Sequence, residues 1–181
     1  HSSVAARLGV VLALRRLGSE QVAQLLDDSD PRVVVEAARA IYDMPIPAAL
    51  PQLAGLIRRG SQDDALMRRV LAANFRLGAP ENAAAIAAYA ARSTVPTTLR
   101  IEALDMLAAW AKPSARDRVL GMWRPIAERS IEPAADALRK NLAGAFKGSE
   151  AVRSKTGQVA AELGIKEVIP ELHNILADKL Q

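Results

Sequence analysis

The stretch DPRVVVEAARAIYDMPIPAALPQLAGLI, residues 30–57, decides how this chain is read. Apolar residues recur at helical spacing from Val34 to Met44, and Pro45 stops them. A second apolar run follows from Pro47, with Leu50, Leu53, Leu56 and Ile57 on one face. The pattern predicts a helix, a proline turn and a second helix.

With Val34 as position zero, Ala37, Ala38, Ala40, Ile41 and Met44 occupy offsets +3, +4, +6, +7 and +10. These offsets form one face of a helix. The same template fits from Arg7 (Val10, Val11, Ala13, Leu14, Leu17), Met67 (Val70, Leu71, Ala73, Asn74, Leu77), Arg100 (Ala103, Leu104, Met106, Leu107, Trp110) and Arg153 (Thr156, Gly157, Val159, Ala160, Leu163). Gly18, Gly78 and Gly164 stand where a left-handed helix cap belongs. The starts are spaced by 27, 33, 33 and 53 residues, so the last interval holds one period plus an insertion at about 112–130. Each template helix has a partner, at 19–27, 47–59, 80–92, 131–146 and 165–180. The expected fold is all-α: a right-handed α-α superhelix of about five helical hairpins in one domain over 1–181. Unpaired helices at both ends suggest a segment of a larger multidomain protein.

Half the residues are hydrophobic but only six are aromatic, so the core must be built from Ala, Leu, Val and Ile. Net charge is +4, from 18 Arg and 6 Lys against 20 acids, with the signs interspersed. That distribution fits a solvated surface better than a nucleic-acid footprint. With no Cys, disulfides, thiol nucleophiles and Cys-ligated metals or haem are excluded within this segment. No run of 18 apolar residues predicts a membrane span. At offset +2 the residues Gly9, Glu36, Arg69, Glu102 and Lys155 suggest charge pairing from helix to helix.

The segment DPxVxxEAARAI at 30–41 and the repeated helix pairs resemble HEAT repeats. An Arg often follows the Val that opens the second helix of such repeats, as in Val152-Arg153 and Leu99-Arg100. Val33 is followed instead by Val34, which puts one inter-repeat contact in question. More narrowly, VLALRRLGS (11–19), EAARAIYDMPIPAALPQLA (36–54), RRVLAANFRLG (68–78) and DRVLGMWRP (117–125) resemble the HEAT region of planctomycete-type membrane-bound dehydrogenase-like proteins. Those proteins join a sugar-dehydrogenase-like propeller, a HEAT array and a c-type haem domain carrying CxxCH. The resemblance implies a non-catalytic scaffold in an exported, periplasmic or cell-surface protein, with other domains of the same chain or other proteins as partners. No CxxCH is present here, so no redox residue carries over and no cofactor is expected in this segment.

Candidate sites are few. His173 lies two positions from Glu171, which is not a shared helical face, and His1 is the only other histidine. Residues 27–30, Asp-Asp-Ser-Asp, lack the Gly and Glu of a calcium loop and read as a capping turn. Asn74 at a core offset reads as a buried amide bonded to a neighbouring loop. At offset +8, Tyr42 and Phe75 fall on adjacent repeats beside Arg15, Arg16, Arg39 and Arg76. Aromatic and Arg mixtures are hot-spot composition, but packing between repeats fits the two aromatics better. In the insertion, Trp123 and Arg124 suit a ligand contact or, preferably, a plug between flanking helices. The possible partner surface is therefore Arg15, Arg39, Tyr42, Phe75, Arg76, Trp123 and Arg124. Two further function classes fit a HEAT-like array: nucleic-acid binding of the alkylpurine DNA glycosylase type, and a tetrapyrrole-handling lyase. The interspersed acids argue against the first. The second needs a polar-lined pocket that no motif marks.

Overall fold

The computed structural model describes residues 3–61 and 63–166. Among them the chain is all-helical, with one antiparallel bridge, between Arg116 and Trp123. No described helix is long and apolar enough to cross a membrane. The chain folds as two compact units, residues 1–77 with 116–123 and residues 78–115 with those from 124 onward. His1, His173, Glu171 and nearly all of the helix expected over 165–180 lie outside the described residues.

In the first unit, α1 (Val4–Leu17) is followed by a 3₁₀ helix, Glu20–Asp27, then by α2 (Pro31–Asp43). After the proline turn come a 3₁₀ turn Pro47–Ala49, α3 (Leu50–Gly55), a further 3₁₀ turn Leu56–Arg58 and α4 (Asp64–Leu77). The helix expected over 47–59 is thus broken. Pro51 has no N–H to donate to the preceding turn, so the α segment restarts around it. The second unit holds α5 (Pro80–Ala90), α6 (Thr97–Ala108), α7 (Glu132–Ala145) and α8 (Glu150–Glu162).

The template face is the buried face in α2, α4, α6 and α8, where offsets +3, +4, +6 and +7 are all buried. In α1 only Val11 is buried; Val10 is 47% and Leu17 78% exposed, because no described element packs on that side. Offset +10 also divides: Trp110 and Leu163 are buried, while Met44 and Leu77 reach solvent. Gly18, Gly78 and Gly164 have φ near +61°, +73° and +69°, the left-handed caps expected of them. At Gly18 the cap is completed by Ser19 N–H donating to Leu14 O at 3.0 Å, and at Gly164 by Ile165 N–H donating to Ala160 O at 2.9 Å.

Helix starts are held by acids. Asp30 accepts from Arg32 N–H at 2.9 Å with Pro31 at the first helical position, and Asp63 accepts from Leu66 N–H at 2.7 Å. The turn 27–30 is the capping turn expected: Asp28 accepts from Asp30 N–H at 2.8 Å and from both Nε (2.7 Å) and Nη2 (3.0 Å) of Arg7. The Arg32 side chain, also bonded to Asp30, holds that carboxyl down at about 2, and Arg7 lowers Asp28 in the same way.

Ion pairs link neighbouring template helices, but not along the offset +2 row. Arg15 faces Glu36 at 3.7 Å, Arg69 clasps Asp43 at 2.9 and 2.8 Å, and Lys155 meets Asp105 at 3.0 Å. Asn74 is buried and donates to Val70 O and to Ala54 O, both at 2.9 Å, so its distant partner is helix α3 and not a loop.

Among the described residues Arg100, at the start of α6, is the buried cation, only 3% exposed. Its Nε donates to Ala90 O at 2.7 Å, and its Nη2 to Gly144 O and Ala145 O at 3.2 Å each. One guanidinium thereby reaches carbonyls at the ends of both α5 and α7. Burial lowers its pKa from the usual arginine value.

Two outcomes follow from these contacts. Arg100→Met keeps the apolar stem but removes the side-chain donor to Ala90 O and to Gly144 O and Ala145 O, and should lower unfolding stability by about 1–3 kcal/mol in urea titrations. Asp30→Asn keeps the cap and removes the charge. Because the folded Asp30 titrates near 2 and an unfolded aspartate near 4, the charge stabilises above about pH 4. That contribution is lost as pH falls toward 2, so acid unfolding monitored by circular dichroism should show wild type and variant converging there.

Candidate interaction surface

The residues singled out by sequence separate into buried and exposed sets. Tyr42 (1% exposed) and Phe75 (5%) are buried in α2 and α4, so neither offers its ring to a partner, as the packing reading held. Of the Arg side chains near them, Arg16 is exposed, whereas Arg76 is only 19% exposed. Arg39 is half exposed and meets Glu36 at 3.3 Å, where Arg15 also arrives.

Tyr42 does reach another part of its unit. Its hydroxyl donates to Asp117 Oδ2 at 2.6 Å, and Arg76 Nη1 lies 3.5 Å from the same oxygen. The other carboxylate oxygen accepts from the backbone N–H groups of Val119 and Leu120, each at 2.9 Å. Asp117 N–H donates to Met122 O at 2.8 Å, and Gly121 N–H to Asp117 O at 2.8 Å. Arg116 adds a bond from Nη1 to Gly121 O at 3.1 Å. A buried acid thus folds residues 116–123 into a tight loop and fastens it to α2 and α4. Leaving such a carboxylate without donors would cost several kcal/mol, which is why the loop closes around it.

The consequence for Trp123 reverses the expectation that it plugs a groove. With Asp117 turned inward as the anchor, Trp123 stands 71% exposed and Met122 56% exposed at the loop's outer edge. The buried tryptophan is Trp110, in the second unit, with the Arg129 guanidinium 3.8 Å from its ring centroid and Arg129 Nε donating to Trp110 O at 2.9 Å. Burial brings Arg129 down to about 10. Arg124 follows Trp123 in sequence but belongs to the second unit, where its N–H donates to Ala115 O at 2.9 Å.

Asp117 is the residue that sequence reading passed over. Its only local sign is a lone acid between Arg116 and Arg118 in an otherwise basic loop. Among the described residues no group of three or more His, Asp or Glu side chains is placed to hold a metal ion. No family model, curated protein or solved structure matches the chain.

Removing the anchor tests this geometry. Asp117→Ala should destabilise the first unit by about 3 kcal/mol and speed tryptic cleavage after Arg116 and Arg118. Tyr42→Phe should cost about 1–2 kcal/mol, with a smaller gain in cleavage rate.

Proposed function

We propose that this chain is a non-catalytic helical-repeat scaffold that engages another protein, or another domain of its own chain, through the 116–123 loop. The observation that carries this reading is Trp123: a large aromatic side chain held in water, beside exposed Met122, by a loop whose anchor is buried. Tryptophan is enriched among residues that dominate binding energy, and a pre-anchored loop loses little conformational freedom on docking. The helix pairs and the recurring template support a HEAT-like solenoid as the scaffold. Resemblance to the planctomycete-type proteins supplies the setting: an exported dehydrogenase-like protein with a c-type haem domain, at the periplasm or cell surface.

Two experiments bear on this. A photo-crosslinking residue at position 123 should capture a partner polypeptide or a second domain in the native host, well above the same residue at exposed Arg32; equal capture at the two positions would defeat the reading. With the crosslinking residue moved to the neighbouring exposed Met122, Trp123→Ala should abolish capture while changing stability by no more than about 0.5 kcal/mol. The setting is tested by the complete reading frame, which should encode a propeller before this segment and CxxCH after it. Salt-sensitive binding to DNA would instead favour the nucleic-acid reading.

A further inference from the structure

Asp117 is the one acid between Asp105 and Glu128, and the fold turns it inward. One of its carboxylate oxygens faces Tyr42 and Arg76, and the other accepts from two backbone N–H groups. What the 116–123 loop shows to water is therefore of one sign. Arg116 and Arg118 are both exposed, together with Met122 and Trp123. In the sequence an acid stands between two bases; at the surface only the bases remain.

The backbone sets Arg116 beside Trp123. Asp117 N–H donates to Met122 O at 2.8 Å and Arg124 N–H to Ala115 O at 2.9 Å, so these bonds straddle the Arg116–Trp123 bridge. The two residues form a non-hydrogen-bonded antiparallel pair, in which facing side chains stand closest and on one side of the ribbon. Arg116 is steadied by its bond from Nη1 to Gly121 O. An indole and a guanidinium are thus held side by side, with a second exposed guanidinium two residues on.

Three kinds of partner fit this surface poorly. A basic polypeptide would meet like charge. A lipid surface needs several apolar side chains to insert, and Val119 and Leu120 are half-buried, which leaves Met122 and Trp123. A nucleic acid needs a run of phosphate contacts, whereas the charges along the chain are interspersed. An acidic segment with an apolar side chain at its centre meets both features. Its carboxylates accept from guanidinium N–H groups in paired geometry, and its apolar side chain covers the indole.

We infer that the partner presents to the 116–123 loop an acidic polypeptide segment, with carboxylates on either side of a leucine or phenylalanine. The inference rests on the interaction-scaffold reading and names the chemistry of its partner.

The full chain reports its own binding, because Trp110 is fully buried and Trp123 is exposed. The peptide acetyl-EDLFED-amide should move Trp123 emission to shorter wavelength in a saturable titration, and Trp123→Phe should remove the shift. At equal concentration the response should be at least fivefold smaller with the charge-reversed acetyl-KRLFKR-amide and with acetyl-EDSSED-amide, which lacks the apolar centre. It should fall at least threefold between about 0.05 and about 0.3 M salt. Arg118→Glu should cut the response to the acidic peptide at least fivefold while leaving thermal unfolding in place. An equal response to the basic peptide, a larger shift with phosphatidylserine-containing vesicles or with single-stranded oligothymidylate, or a response untouched by Arg118→Glu would overturn the inference. Capture at position 123 beside a silent acidic-peptide titration would also overturn it and leave the scaffold reading standing. A saturable acidic-peptide response without capture would uphold it and remove the scaffold reading.

Discussion

Each described helix ends in carbonyls that no further turn of its own can satisfy, so each end needs a donor from elsewhere. A close-packed Ala-rich interface brings them together but offers no donors. The second unit meets this constraint with Arg100, whose guanidinium bonds the last carbonyls of α5 and α7 while its stem lies in the core. A charge this deep is tolerable because its donors meet carbonyl dipoles that need them. Gly148 then has to be glycine, since the guanidinium lies where a Cβ would be. Thr156 joins the same cluster, its hydroxyl donating to Ala145 O at 3.2 Å and to Val152 O at 2.8 Å.

The first unit meets the same constraint with different chemistry. The elements before α2 and α4 end as 3₁₀ stretches that close on their own backbone, as where Arg59 and Gly60 N–H both donate to Leu56 O. Asp28 gathers Arg7 from α1, so the acid and the base lie in the turn and not under the helix. Val34 and Met67 then have no acceptors to serve. The unit gains a further long-range tie from Asp117, where a carboxylate replaces the guanidinium as the buried hub and collects a tyrosine hydroxyl, an arginine and two backbone N–H groups. Both hubs act through hydrogen bonds made in a low-dielectric interior, where an unmet partner is expensive.

Much of the fold was legible beforehand because its signals are local. Helical periodicity, Asp30-Pro31 at a helix start and Gly18, Gly78 and Gly164 at helix ends depend on residues within a turn or two of one another. All five template helices lie where the period places them. The charged row was misread, since Arg69 reaches Asp43 and not the acid at its own offset. Side-chain length and rotamer, not Cα register, choose an ion-pair partner. The α1 face was misread for a related reason: periodicity identifies an apolar face but not whether anything covers it.

The sequence by itself determined the all-helical architecture, the boundaries of the described template helices to within a few residues and the Ala-rich core, because backbone propensity and 3.6-residue spacing are encoded within single helices. Only the tertiary structure decided which aromatics are buried. Tyr42 and Asp117 are far apart in the chain, and no local pattern links them. Once they meet, the loop must turn its acid inward, and Trp123 is left outside.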